Sequence, residues 1–312
     1  MIKKKIIIDC DPGIDDGFAL VLALKCEELD ILGITTLGGN IQAITAAQNA
    51  LKILKLMGRL DIPVYIGAEG PLKRKLVTAS EVHGKDGLGN AFLEDVDERL
   101  IHDNAADFIL KTLRNHKDVS IVSLAPLTNL ATAMERDMET FNKVKEIVSM
   151  GGAFRVPGNC SPVGEFNYWV DPHAVQYVLE NIKAPFTMVG LDVTSKVVLK
   201  PEHMELFRHF NTPVSKFLFD ASRFYLDFYW EQEKIIGCLV HDALALAYFV
   251  DKTLAEGIHS YAQVVTEGIA IGQTIVDEKN FYKRKPNCHV LTEVHADKFF
   301  DMFFNKVFPE FM

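Results

Sequence analysis

Four carboxylates stand within eight residues in the run Asp9-Cys10-Asp11-Pro12-Gly13-Ile14-Asp15-Asp16. At a strand end followed by a helix start, one or two acids have ordinary work: Asp9 or Asp11 can cap the turn, and Asp15 and Asp16 complement the helix dipole. Four exceed that need. Carboxylates this close repel and raise one another's pKa unless a cation sits among them, so the cluster points to a hard divalent ion held by oxygen. Further polar groups follow at intervals: Gly38-Gly39-Asn40, Ala125-Pro126-Leu127-Thr128-Asn129, Met150-Gly151-Gly152, Glu165-Phe166-Asn167 and Val240-His241-Asp242.

The elements that must position them alternate. The spacing predicts a strand over 4–9, a helix over 15–26, a strand over 31–37, a helix over 42–57 and a strand over 62–67. Strands over 120–124, 146–150 and 186–189 follow, with a helix opening near Pro126 and another over 172–180. Runs such as Ile6-Ile7-Ile8 are apolar on successive residues, as in parallel strands covered on both faces. Ligands of such sheets bind beyond the carboxyl ends of the strands, where the polar groups above fall. After about Lys200 the pattern is mainly helical through Tyr248, and Phe299, Phe300, Phe303 and Phe304 form a stripe on a last helix that reads as core or subunit contact. The expected fold is a single α/β Rossmann-like domain over residues 1–312, with a mostly parallel central sheet flanked by helices and a helical region completing the pocket.

The chain has 312 residues, enough to bury roughly 75% of its unfolded surface without a disulfide or metal staple. Its formal net charge of -9 argues against a nucleic-acid or anionic-membrane partner, which clustered positive charge would serve. Five widely spaced cysteines with no C-x-x-C pair read as reduced thiols. The basic start is far short of a signal-peptide core, and no apolar stretch approaches the roughly 20 residues of a membrane helix. A cytoplasmic protein is expected. The triplet Lys73-Arg74-Lys75 lies in a Gly-dotted stretch from about Gly67 to Asn90 and reads as a solvated loop.

Two known patterns come near the acidic run. It is not an EF-hand, because Gly13 stands where a third side-chain oxygen is needed. A haloacid-dehalogenase-type phosphatase also places Asp-x-Asp after a first strand, but Gly13 replaces the Thr or Val expected two residues later, and Asp15-Asp16 is extra. Asp9 to Asp16 instead resembles the Asp-x-Asp-Pro-Gly-x-Asp-Asp signature of the nucleoside hydrolases, the inosine-uridine-preferring N-ribohydrolases. Gly39-Asn40, Val82-His83-Gly84, Pro126-Leu127-Thr128-Asn129, Met150-Gly151-Gly152, Glu165-Phe166-Asn167 with Asp171-Pro172, and His241-Asp242 recur in family order.

The resemblance implies calcium held by Asp11, Asp16, Asp242 and a main-chain carbonyl, which counting back from Thr128 puts on Leu124. It also implies that Asp15, Asn40 and Asn167 hold the ribose 2′- and 3′-hydroxyls, that Asn159 and Glu165 reach the 5′-hydroxyl and that Met150 lies against the sugar. A homodimer or homotetramer and a role in purine or pyrimidine salvage come with it. Asp9, Asp11, Asp15, Asp16, Glu165 and Asp242 are thus expected to converge on one cation and one sugar.

The chemistry agrees with this. Breaking a ribosyl C–N bond through an oxocarbenium-like state leaves positive charge on the sugar and negative charge on the base, so the site needs anions below the ring and a proton above it. Asp11 would take the proton of a calcium-bound water, while His241, with His83 second, would protonate the leaving base. Tyr225 and Tyr229, four apart on one helical face, could stack on the base. The expected reaction is hydrolysis of pyrimidine or inosine-type ribonucleosides to base and ribose. The alternatives are a non-catalytic metal- and nucleoside-binding module and the magnesium-dependent phosphatase.

Overall fold

The computed structural model describes residues 3–312, so Met1 and Ile2 of the basic start lie outside the described residues. Seven strands follow in chain order: β1 (Lys4–Cys10), β2 (Leu29–Thr36), β3 (Val64–Ile66), β4 (Ile101–Asp103), β5 (Val119–Ser123), β6 (Ile147–Met150) and β7 (Phe186–Val189). With Ala255–Ser260 and Cys288–Val294 they form one nine-stranded sheet. From the centre, β1-β2-β3-β4 runs to one edge, and β5-β6-β7, then Cys288–Val294 and Ala255–Ser260, to the other. All neighbours are parallel except the last pair, which is antiparallel.

This order places a topological switch between β1 and β5, where successive crossovers depart in opposite directions and leave a crevice beyond the strand ends. Asp9 and Cys10 end β1, and Leu124 follows β5. The Leu124 N–H donates to the Asp9 carbonyl at 2.7 Å, which ties the two strand ends together.

Helix α1 (Ile14–Lys25) starts directly after the acidic run, and helix His241–Val250 packs against it. Both are apolar nearly all round, as helices enclosed by other elements are. Their amino termini carry Asp15, Asp16 and Asp242, so two positive dipole ends lie among the acids. The aromatic stripe of helix Ala296–Val307 is core: Phe303 lies 5.9 Å from Phe18 and Phe304 5.5 Å from Phe207, ring centre to ring centre.

The expected strands and helices up to Val189 are present within a few residues. Helices Pro201–Phe210 and Pro213–Glu233 bear out the helical stretch after Lys200. The spacing did not disclose β4, helix Ala105–Asn115, the two strands at the far edge or the hairpin Ala262–Val264 with Thr274–Val276. Among the described residues, no helix is long and apolar enough to cross a membrane.

Candidate active site

A cavity of about 890 Å³ opens beyond the carboxyl ends of the central strands. Its strand-end wall includes Asp15, Asn40, Leu124, Met150 and Asp242; its second wall includes Asn159, Glu165 and Asn167. His83, Tyr225, Tyr229 and His241 line the third. Asp11 and Asp16, fully buried, stand behind this surface and are bound to it through Asn40. The Asn40 N–H donates to Asp11 Oδ2 at 2.5 Å, and Asn40 Nδ2 donates to Asp16 Oδ2 at 3.2 Å.

The turn after β1 is built around these acids. Gly13 N–H donates to Asp16 Oδ2 at 2.9 Å, so Asp16 reaches back to cap its own helix. Gly13 must lack a side chain, because a Cβ there would stand 2.6 Å from His83 Nδ1 and 2.9 Å from Asn40 Nδ2. Gly39 is bound in the same way: its Cβ would collide with Asp11 Oδ2.

Oxygens of Asp15, Asp16 and Asp242 lie within 4.8 Å of one another. Burial, with repulsion from neighbouring carboxylates, pushes Asp15 up to about 8 and holds Asp11 and Asp242 well above the usual carboxylate range. Burial takes Asp16 to about 6, with backbone N–H donors opposing it. Such a group resists full ionisation unless positive charge joins it. Asp11 Oδ1 is buried and has no hydrogen-bond partner among the described residues. An orphaned carboxylate oxygen beside a purely oxygen donor set fits a hard divalent cation.

Asp9 departs from its expected place. It does not line the cavity; its Oδ1 accepts from Thr35 Oγ1 at 2.6 Å and Asn129 Nδ2 at 2.8 Å, and burial raises it to about 7. It braces the end of β1 against β2 and helix Thr128–Arg136. Asn129, a motif residue with no role assigned from sequence, also donates to the Thr36 carbonyl at 3.1 Å and accepts from Ala68 N–H at 3.0 Å.

On the second wall, Glu165 caps the short helix Phe166–Val170, accepting from the N–H groups of Asn167 and Tyr168, and from Gly152 at 2.8 Å. Asn167 Nδ2 donates to the Leu124 carbonyl at 3.0 Å and to the Met150 carbonyl at 3.3 Å. Asn159 is exposed and its Oδ1 accepts from Phe166 N–H at 2.9 Å.

The third wall carries the two histidines. His83 Nδ1 accepts from Ile14 N–H at 3.1 Å, which leaves the proton on Nε2. Burial, then His241 nearby, lowers its pKa to about 3. His241 bonds Thr194 Oγ1 through Nδ1 at 2.8 Å and the Tyr229 hydroxyl through Nε2 at 3.1 Å. Tyr229 in turn reaches the Tyr225 hydroxyl at 3.5 Å. Burial lowers His241 to about 4 and raises both phenols, so every member of the chain is neutral near pH 7. Thr194 gave no signal in the sequence; only the turn after β7 brings it here.

The profile of the family described as inosine-uridine preferring nucleoside hydrolases matches residues 6–301. The chain belongs to the nucleoside hydrolase family. Members are glycosidases that cleave N-glycosyl bonds. Among similar nucleoside hydrolases, the pyrimidine-specific ribonucleoside hydrolase RihA of Escherichia coli K12 is 37% identical over 300 residues, covering 95% of this chain and 96% of that one. The solved structure of a purine-preferring ribonucleoside hydrolase from Gardnerella vaginalis superposes with a TM-score of 0.92 at 33% identity, covering 97% of this chain and 98% of that one. A plant nucleoside hydrolase, PpNRh1, gives the same TM-score at 34% identity over 97% and 98% of the chains.

Proposed function

We propose that this nucleoside hydrolase, one domain over residues 1–312, cleaves pyrimidine or inosine-type ribonucleosides, or both, to free base and ribose in a calcium-dependent reaction. The observation that carries it is the cavity that joins a buried acid cluster on one wall to a neutral His–Tyr chain on another. Anions stand where the ribosyl group gains positive charge, and proton donors stand where the base gains negative charge.

Asp11 Oδ1, free of other hydrogen bonds among the described residues, accepts the proton of the water that attacks the anomeric carbon. Asp15, Asn40 and Asn167 hold the 2′- and 3′-hydroxyls, which fixes the ring and selects ribose over deoxyribose. Asn159 and Glu165 serve the 5′-hydroxyl, and Met150 supports the ring. Asp11, Asp16, Asp242 and the Leu124 carbonyl would hold calcium, with Asp15 close enough to share it. When bound, the ion supplies positive charge that lets these acids ionise together, and it acidifies water beside it.

The leaving base takes its proton from the third wall. With Thr194 donating to His241 Nδ1, Nε2–H donates to Tyr229, and Tyr229 donates to Tyr225, which leaves the Tyr225 hydroxyl hydrogen for the base. His83 Nε2–H is a second donor on the same wall. A homodimer or homotetramer in the cytoplasm, acting in nucleoside salvage, completes the proposal.

The test is release of ribose from uridine, cytidine, inosine, adenosine and guanosine, with calcium and with a chelator. Release from uridine, cytidine or inosine that the chelator abolishes is the expected result. No release from any of the five overturns the reading. Phosphate release from phosphomonoesters with magnesium would favour the phosphatase instead.

A further inference from the structure

The segment between β3 and the short helix Ser80–His83 is fastened at both ends to the strand-end wall. Gly67 N–H donates to the Thr36 carbonyl at 2.8 Å, and Ala79 N–H to the Asn40 carbonyl at 2.8 Å. Its middle reaches the opposite wall. Leu72 N–H donates to Asp171 Oδ2 at 2.8 Å, and the Arg74 guanidinium lies 4.2 Å from the centre of the Trp169 ring. Arg74 Nη1 also donates to the Trp169 carbonyl, at the end of helix Phe166–Val170, where carbonyls lack helical partners.

The loop expected from the basic triplet is therefore solvated only in part: Lys73 and Lys75 are exposed, and Arg74 is half-buried against the indole. Trp169 lines the cavity, and two residues earlier on the same helix Asn167 binds the Leu124 and Met150 carbonyls. On the other side of the contact, the segment leads to His83. One side chain thus joins the piece of chain that carries His83 to the helix that carries Asn167.

We propose that Arg74 is a positioning residue for substrate binding, a clasp across the pocket mouth that fixes the Trp169 wall and the His83 segment relative to each other. The inference rests on the ribonucleoside hydrolase reading. Arg74 is not a lining residue of the cavity, so it acts through Trp169 rather than on the reacting atoms. A planar guanidinium suits both halves of the contact, stacking and bonding at once, which an ammonium does not. The clasp is the same before and during bond cleavage, so its loss weakens binding of substrate and transition state alike.

The chain has two tryptophans, Trp169 and Trp230, so a Trp230→Phe parent makes Trp169 the only indole emitter. In that parent, R74A and R74K are compared by steady-state kinetics on the best ribonucleoside and by Trp169 emission, with melting temperatures recorded. R74A is expected to raise KM about tenfold with kcat within about threefold, to red-shift Trp169 emission, and to recover part of its KM when guanidinium is added at low millimolar concentration. R74K should fall between R74A and the parent. Unchanged KM in R74A, or a fall in kcat at constant KM, overturns the clasp. Absence of ribose release by the unsubstituted protein overturns the hydrolase reading itself, so the two failures are distinct; a red shift without any kinetic effect also counts against the clasp, because it shows a contact without a positioning role.

Discussion

The Tyr229 hydroxyl lies 3.1 Å from His241 Nε2, and this contact makes a buried histidine part of a chain of neutral donors. His241 is lowered to about 4 by burial, so it is not an imidazolium near pH 7 and cannot act as a strong acid alone. With Thr194 on Nδ1, its Nε2–H is directed at Tyr229, and this chain of hydrogen bonds stabilises the phenolate that Tyr225 becomes when it gives up its proton.

Tyr229→Phe cuts that chain while leaving the ring in place. Loss of a positioned general acid lowers turnover by about 10²- to 10⁴-fold, and the lower part of that range is expected because His83 remains. His241→Ala should resemble it. An aryl riboside whose leaving phenol is acidic needs little protonation, so both variants should keep most of their activity toward it. Parallel kcat/KM measurements on uridine and the aryl riboside decide the matter; equal losses on the two substrates would remove His241 and Tyr229 from leaving-group protonation.

Asp11 combines an unpartnered Oδ1 with an Oδ2 pressed against Gly39 and bonded to Asn40 N–H. Asp11→Ala is expected to lose several orders of magnitude in kcat on every nucleoside, since it removes a proton acceptor and a cation ligand together. Gly39→Ala, which pushes a Cβ into Asp11 Oδ2, should lower kcat in the same direction by a smaller factor. Near-normal turnover in Asp11→Ala would refute its assignment even in an active hydrolase.

The strand-helix alternation was readable because parallel strands covered on both faces are apolar at every position, as Ile6-Ile7-Ile8 shows. The far edge was not: Ala255–Ser260 includes Glu256, Gly257 and His259, and an edge strand with a half-exposed face lacks that signature. The acid cluster was legible because four carboxylates in eight residues exceed what caps require. Asp9 was grouped with the site by the same reasoning, since spacing cannot tell an acid that serves the pocket from one whose Oδ1 is taken up by Thr35 and Asn129. Thr194 and Arg74 act across 47 and 95 residues of sequence, on His241 and Trp169, and no local pattern encodes such pairs.

Calcium should stabilise the chain, and more so at higher pH. Burial and mutual repulsion hold the acids of the cluster above their ordinary range, so a cation must displace more protons at pH 6 than at pH 8.5. With free calcium at about 100 times its Kd, the gain is about 2.7 kcal/mol. Thermal melts with calcium or a chelator at the two pH values measure it. No calcium-dependent change in Tm at either pH would refute the cation site, and a larger change with magnesium than with calcium would reassign the ion.

His83 imposes a pH dependence of its own on stability. Its ring is buried, its Nδ1 is occupied by Ile14 N–H, and its folded pKa is about 3 against an ordinary 6.5. Between those values the unfolded chain takes up a proton that the folded chain refuses. Stability from this group is therefore fully present above about pH 6.5 and falls as pH drops toward 3, with a slope approaching 1.4 kcal/mol per pH unit, on the order of one proton. His83→Asn removes the titration and keeps an acceptor oxygen for Ile14 N–H. Urea unfolding of the chelated chain at pH 7, 6 and 5 should show the native protein losing stability faster than the variant, so that the gap between them narrows or reverses on acidification. His241, buried for the same reason, bends both curves alike and drops out of the difference. Parallel curves for the two proteins would mean that His83 opens to solvent and charges in the folded state, and its assignment as a neutral Nε2–H donor would fall with it.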